Sequence, residues 1–280
     1  MKLLQLRFLS LFLLISPLAK SQADFEFNIG GGIASYYGDL IEKDHAIFPQ
    51  PSYSASVGVA HYFSPHWAIR GEFSALKVGA KDSKNDRADL KARNLSFNTN
   101  IYDLGLEGEY DLFDMTPGHR NFTPYAFLGI GIFHFNPYTT DRTGKKVYLQ
   151  EKGTEGQGTA AYPDRKPYKK TLLNIPFGGG VKYALNNKVV LALEFKYRFI
   201  DTDYLDDVSM GSYPNMSVLA AKDPLLPGLT YRADELSGGA PYPANGTGLN
   251  RGNPNNNDAY YTLQAKVTWR FNCSRMQMNY

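Results

Sequence analysis

The side chains that most often carry out chemistry in proteins form no known catalytic or metal-binding set in this sequence. No two of its five histidines have the H-x-x-x-H spacing of a metal site, and no G-x-S-x-G motif supplies a nucleophilic serine. The single cysteine cannot close an internal disulfide. These residues are His45, His61, His66, His119, His134 and Cys273. We therefore predict a protein that is not an enzyme and that holds no cofactor.

The densest group of acidic residues is a weak candidate for a cation site. Asp201, Asp203, Asp206 and Asp207 fall within one short stretch, and calcium prefers carboxylate oxygens as ligands. The stretch fails the EF-hand pattern, because Asp206 stands where glycine is required and Ser212 stands where glutamate is required. A looser cation site in a loop remains one interpretation. The alternative is a hydrated loop base.

The elements that must position these residues are strands with one apolar and one polar face. In 189–199, apolar residues alternate with Glu194, Lys196 and Arg198, and 259–271 repeats this two-residue period. Six further segments are predicted as strands, at 25–37, 53–63, 67–75, 95–111, 125–136 and 172–183. The period alone does not say whether the apolar face lies in a protein core or against lipid.

The connections between these segments alternate between short and long. Those at 64–66 and 185–188 are tight and 112–122 is moderate, whereas 38–52, 79–94, 137–170 and 201–257 are long and rich in Gly, Pro, Asn and Asp. Outer-membrane barrels have short periplasmic turns and longer outer loops. We therefore predict an all-β fold, an eight-stranded antiparallel transmembrane β-barrel whose apolar faces meet lipid.

The polar strand faces then point into the barrel, and their charges must pair there. A barrel of eight strands has an interior just filled by side chains, so it is a plugged cylinder and not a channel. A solvated face of a soluble sheet is the alternative interpretation. The predicted interior charges are Arg70, Glu72, Asp103, Glu107, Glu109, Lys182, Glu194, Lys196, Arg198, Lys266 and Arg270.

Three details of the predicted strands are irregular. The apolar parity of 95–111 changes near Ile101, which predicts a β-bulge there. Pro176 must lie at a bulge or at an unpaired position, because proline has no N–H for a ladder. His134 lies at the outer end of its strand, where it is either the one candidate for rim catalysis or a structural histidine.

The first residues predict export from the cytoplasm. Lys2 and Arg7 precede an apolar run, and small residues end at Ala23, as in a secretory signal peptide spanning 1–23. The barrel domain would then be 24–280, in the bacterial outer membrane. Removing the basic leader brings the formal charge of +3 close to zero, which predicts no nucleic-acid partner.

Several short motifs follow one another along the chain: GGG at 30–32 with YGDL at 37–40, RNLSF at 93–97, TPY at 123–125, GIGIFHFNP at 129–137, GTEGQG at 153–158, IPFGGGVKY at 175–183, TDYLDDVS at 202–209 and RGN at 251–253. In their order and number they resemble the PorG-type outer-membrane barrels of the type IX protein secretion system. The resemblance covers nearly the whole chain after the leader.

This resemblance implies a non-enzymatic component that holds a periplasmic ring, built from a lipoprotein and its partner, against the outer membrane. Its partners would be outer-membrane lipid, the ring proteins and other outer-membrane subunits. The ring would use the short links and the tail at 272–280. The alternative is a surface-exposed OmpX/OmpA-like adhesin or receptor that acts through its long outer loops, of which 238–257 has the composition of a mobile or partner-ordered segment.

Overall fold

The structure is a computed structural model that describes residues 24–41, 47–116, 118–242 and 250–271. The predicted signal peptide at 1–23 and the tail at 272–280 lie outside the described residues. The strands are β1 (Asp24–Tyr37), β2 (Ser52–Tyr62), β3 (Trp67–Lys81), β4 (Ser96–Asp111), β5 (Phe122–Phe135), β6 (Tyr138–Thr140), β7 (Lys146–Tyr148), β8 (Thr171–Ala184), β9 (Val189–Ile200) and β10 (Ala259–Phe271). The eight long strands agree with the predicted segments within a few residues, except that β3 continues to Lys81.

The long strands close into a barrel in which every pairing is antiparallel. Their order is β3-β2-β1-β10-β9-β8-β5-β4, and β3 also pairs with β4, from Trp67 opposite Tyr110 to Lys81 opposite Ser96. The predicted eight-stranded antiparallel barrel is confirmed. The short hairpin of β6 and β7 extends one edge of β4 at the outer end.

The apolar faces of the strands point outward, as the predicted transmembrane barrel requires. Leu104, Leu128 and Leu173 are 56%, 62% and 74% exposed, while inward neighbours such as Asp103 are buried. Residues this apolar are stable on a barrel surface only when hydrocarbon covers them.

The predicted bulge near Ile101 is absent, and that prediction is wrong. The β3–β4 register runs without interruption, and burial alternates regularly along β4. Phe97 and Ile101 point inward with the same parity as Asp103 and Glu107. The change of pattern arises because the interior itself becomes apolar toward the outer end.

Pro176 occupies an unpaired position, one of the two predicted alternatives. On one side it is in register with Arg198 of β9. On the other side, the β5–β8 ladder runs from Phe122 to Leu128 and resumes at Gly131, so Pro176 has no partner there. The missing N–H of proline faces this gap.

Glycines on the inner face of β8 make room for aromatic rings. A Cβ on Gly178 would stand 2.8 Å from the ring of Phe127 and 2.1 Å from a backbone oxygen of β9. A Cβ on Gly180 would similarly meet the ring of Tyr125 at 3.0 Å. The rings can fill the barrel only because these positions have no side chain.

The outer connections contain four short helices within the described residues: α1 (Ala88–Arg93), α2 (Leu149–Lys152), α3 (Met216–Lys222) and α4 (Leu226–Thr230). Asn215 caps α3, since its side chain accepts from the amide of Ser217 at 2.9 Å. In the part of the chain described here, no helix has the length and apolar character needed to cross a membrane.

Candidate functional site

The middle of the barrel interior is organised around Arg70 of β3. Its guanidinium donates to Glu107 at 2.5 and 2.9 Å. The same group donates to Glu109 at 2.8 Å and, across the barrel, to Glu194 at 2.7 Å. All four side chains are buried. A planar guanidinium suits this role, because it offers several donors in fixed directions.

Two lysines complete this central layer. Lys196 donates to Glu72 at 2.6 Å and to Glu107 at 2.5 Å. Lys266 donates to Glu72 and lies 2.7 Å from Glu194. Each carboxylate therefore contacts more than one cation, so the charges are compensated as a network rather than as separate pairs.

A third lysine fills the interior toward the periplasmic end. Lys182 donates to Glu109 at 2.5 Å and to Asp111 at 2.8 Å. The hydroxyl of Tyr62 lies 2.9 Å from an oxygen of each carboxylate and accepts from Lys182 at 2.6 Å. This group joins the central layer through Glu109, which also accepts from Arg70.

The two ends of the ion network are single pairs. Toward the outer side, Arg198 donates to Asp103 at 2.6 Å. At the periplasmic mouth, Arg270 donates to Glu26 at 2.8 Å and to the carbonyl oxygen of Met115 at 3.3 Å. Met115 belongs to the link between β4 and β5, so this link contacts the barrel at its periplasmic mouth.

Every charged residue predicted for the interior lies on the inward parity of its strand and forms an ion pair there. Sequence reasoning missed Glu26 and Asp111, although each has the inward parity of its own strand. It also missed Tyr62 and Tyr125, whose hydroxyls donate to the carboxylates. Tyrosine gave no clear signal, because it is equally common in the aromatic girdles of such barrels.

Above the charges, toward the outer mouth, the interior is apolar. Val78, Phe97, Ile101, Phe133 and Phe135 are at most 1% exposed and belong to one cluster. The same cluster includes Leu40 and Leu205, so the apolar residues above the charges pack against the outer connections.

We expect the purified barrel to show no ion conductance in planar lipid bilayers, because the ionic and apolar layers together fill its interior. The measurement is single-channel recording, with a porin of about sixteen strands as the conducting control. Reproducible conductance steps from the folded protein would contradict the filled interior.

The long outer connections fold together into a unit that we call the outer cap, the described residues of 38–51, 82–95, 136–170 and 201–258. Its centre is Arg251, which donates to Glu155 at 2.5 Å and to the carbonyl oxygen of Asp207 at 3.1 Å. Glu155 also accepts from the amides of Ser209 at 3.0 Å and Met210 at 2.9 Å. The cap therefore has a buried polar core of its own.

Arg93 joins three of the four connections in the cap. It donates to both oxygens of Asp82, at 2.7 and 2.8 Å, within its own connection. It also donates to the carbonyl oxygen of Asp39 at 2.8 Å and to that of Arg251. Burial of Arg251, at 2% exposed, shows that this part of 238–257 is packed against the cap; 243–249 lie outside the described residues.

The four aspartates of the candidate cation site go in different directions. Asp201 is exposed and accepts from Asn257 at 3.2 Å. Asp207 points into the cap, where Tyr168 donates to it at 2.7 Å and burial raises its pKa to about 7. Asp203 and Asp206 are buried at the barrel mouth. The alternative of a hydrated loop base is wrong for all but Asp201.

His134 lies on the outward face of β5, where its Nδ1 is 2.8 Å from the hydroxyl of Thr171. Among the described residues, no group of three or more His, Cys, Asp or Glu side chains has the arrangement of a metal site. The strongest chemical feature of the described chain is therefore its two buried ionic cores, one in the barrel and one in the cap.

A closed cylinder of strands with an apolar exterior and a filled ionic interior defines a transmembrane β-barrel of the bacterial outer-membrane type. The long connections form its outer surface and the short links face the periplasm. Within this class, the chain belongs to the family DUF6089, a domain of unknown function, whose model matches residues 5–221.

Solved structures similar to this chain are outer-membrane barrels. Neisserial surface protein A has 12% identity and a TM-score of 0.44, and the match covers 90% of this chain and 100% of that chain. The Yersinia pestis attachment invasion locus protein Ail has 10% identity and a TM-score of 0.42, and the match covers the same shares of the two chains. A major outer membrane protein from Thermus thermophilus has 12% identity and a TM-score of 0.42, and the match again covers 90% of this chain and 100% of that chain. No curated protein matches the chain significantly.

Proposed function

We propose that this chain is a non-enzymatic, non-conducting outer-membrane component of a type IX protein secretion system, where it holds the periplasmic ring against the membrane. The observation that carries the proposal is that several of the PorG-like motifs meet in one folded unit. Asp39 of YGDL, Arg93 of RNLSF, Glu155 of GTEGQG, Asp207 of TDYLDDVS and Arg251 of RGN all contribute to the outer cap. The motifs on which the resemblance rests therefore lie together in the fold of this chain.

Among the described residues, the longest periplasmic link that a ring protein could contact is 112–116 with 118–121. Met115 packs with Ala184 and Val190 at the base of the barrel. Arg120 lies over the ring of Phe113, 4.3 Å from its centroid. The link is therefore held by its own contacts while His119 and its neighbours at 118–121 are exposed. A pre-ordered, exposed segment loses little entropy on binding.

We expect negative charge placed on this link to weaken ring association without unfolding the barrel. Arg120→Glu combined with His119→Glu should lower co-purification of the ring lipoprotein about 10-fold, because charged groups at an interface rim control encounter and register. The measurement is affinity purification from native envelopes, with the bound proteins identified by mass spectrometry. Shortening the whole link is a poorer test, since it also removes Met115 from the barrel base.

Lys145→Glu is the matched control, because Lys145 is exposed in the outer hairpin turn between β6 and β7. It should leave ring recovery unchanged. If wild type and the double variant are equally folded and recover equal amounts of ring protein, the periplasmic link does not bind the ring. Absence of ring proteins from the wild-type purification would reject the secretion role itself.

A receptor or adhesin remains the second candidate, and one feature favours it. The outer cap contains a cleft of about 740 Å³, lined by charged and aromatic residues such as Arg87, Arg93, Tyr213 and Tyr231. Clefts of this size are typical of small-ligand sites. Recovery of surface ligands, without ring proteins, in the same purification would support this function.

A further inference from the structure

We propose that the protein binds one divalent cation of the calcium class between Asp206 and Asp258, at the outer mouth of the barrel beneath the cap. The proposal does not depend on the secretion role. It uses Asp206, one of the four aspartates of the sequence candidate, but pairs it with a residue that follows more than fifty positions later.

The first observation is an unsatisfied carboxylate oxygen on Asp258, the residue before β10. Asp258 is 2% exposed. Its Oδ2 accepts from the amide of Leu205 at 2.8 Å, whereas its Oδ1 is buried and has no hydrogen-bond partner. A buried oxygen of this kind destabilises a fold unless a donor, a proton or a cation satisfies it.

The second observation is the group of oxygens beside Asp258 Oδ1. A Cβ on Gly38 would stand 2.0 Å from Asp258 Oδ1 and 2.0 Å from the hydroxyl oxygen of Tyr36, so these two oxygens are close neighbours. That hydroxyl in turn donates to Asp206 Oδ2. Oxygens from two carboxylates and one phenol therefore lie together beside residue 38, where they fit only because this residue is glycine.

The third observation is the local charge. Among the described residues, neither Asp206 nor Asp258 forms an ion pair, and Asp39 and Asp203 add negative charge nearby. Arg93 interacts electrostatically with Asp206, but its guanidinium donates to Asp82 and to two carbonyl oxygens. Carboxylates buried without an ion pair destabilise a fold. A cation would remove this cost.

The chemistry of the donors indicates calcium. All of them are hard oxygens in an irregular arrangement, which calcium accepts with six to eight ligands, whereas magnesium requires near-ideal octahedral geometry. Because the described residues include no cage of three or more acidic or imidazole ligands, hydroxyl, main-chain carbonyl and water oxygens would complete the shell. Extracellular calcium modules of this type bind with a Kd of about 10⁻⁴–10⁻³ M.

The test is equilibrium dialysis of radioactive calcium against the folded barrel in detergent, after EDTA treatment. Terbium luminescence, excited through tyrosine, provides a second readout, because Tyr36 lies beside the site. Wild type should bind one calcium per chain. Asp258→Asn and Asp206→Asn should each raise the Kd about 10-fold or more, because each removes a charged ligand.

Asp164→Asn is the matched control, since it removes the same charge from an exposed position of the cap. It should bind calcium as wild type does. Absence of saturable binding by wild type would overturn the proposal, and so would unchanged binding by the folded Asp258→Asn variant. If that variant does not fold, Gly38→Ala displaces Asp258 Oδ1 and the Tyr36 hydroxyl without changing charge, because its Cβ would stand 2.0 Å from each of them, and unchanged binding by it would likewise overturn the proposal.

Discussion

Replacing Arg70 by methionine is expected to lower the free energy of unfolding of the barrel by about 3–5 kcal/mol. The methionine fills much of the same space but leaves Glu107, Glu109 and Glu194 around a buried position without their shared cation. Removing one partner of a buried ion network costs more than the network contributes, since the remaining charges lose their compensation. Urea unfolding in detergent or liposomes, followed by tryptophan fluorescence, measures the effect.

The control for this variant is Arg87→Met, which breaks the exposed Arg87–Asp89 pair of the outer cap. Exposed pairs contribute about 0–1 kcal/mol, so this change should be nearly silent. Adding Glu107→Gln to Arg70→Met should recover part of the loss, because it removes one uncompensated charge. A loss below about 1 kcal/mol for Arg70→Met would mean that water reaches the interior charges.

Replacing Arg251 by methionine is expected to open the outer cap while the barrel stays folded. Glu155 and Asp207, both at most 1% exposed, would then lack the guanidinium that holds them. A loss of about 3–5 kcal/mol in local stability would raise the open fraction of the cap by a factor of about 10² to 4 × 10³. Limited proteolysis of whole cells detects this as faster cleavage in the outer loops.

Two comparisons keep this expectation specific to the cap. Arg142→Met, which breaks the exposed pair with Asp234, should leave the proteolysis rate close to that of wild type. The urea midpoint of the barrel should not change in the Arg251 variant. A protected cap in Arg251→Met would show that the connections are held by something other than the Arg251 core.

The strands were predictable because they obey a single rule, alternation between lipid and interior, over their whole length. The rule misled at Ile101, where an inward position is apolar instead of charged. In the sequence, a shift of the apolar residues to the other parity looks the same whether the strand has turned over at a bulge or the barrel interior has become apolar. Only the register between β3 and β4 separates the two explanations.

The outer cap was far less predictable, because its contacts join residues that are distant in sequence and follow no period. Arg251 meets Glu155 across 96 positions, and Arg93 meets the carbonyl of Arg251 across 158. The acidic stretch around Asp206 was visible as a candidate site, but its partner Asp258 was not. Nothing in the sequence near position 258 distinguishes that aspartate from an ordinary strand-flanking residue.

The wide sequence separation within the barrel network has a consequence for biogenesis. Lys266 meets Glu72 across 194 positions, and Lys196 meets Glu72 across 124. A single hairpin entering lipid would carry some charges without their partners, such as Glu72 of β3 without Lys196 and Lys266, and the bilayer opposes this. Stepwise insertion of hairpins is thereby disfavoured, and the strands must cross the membrane together, with first and last joined as the cylinder seals.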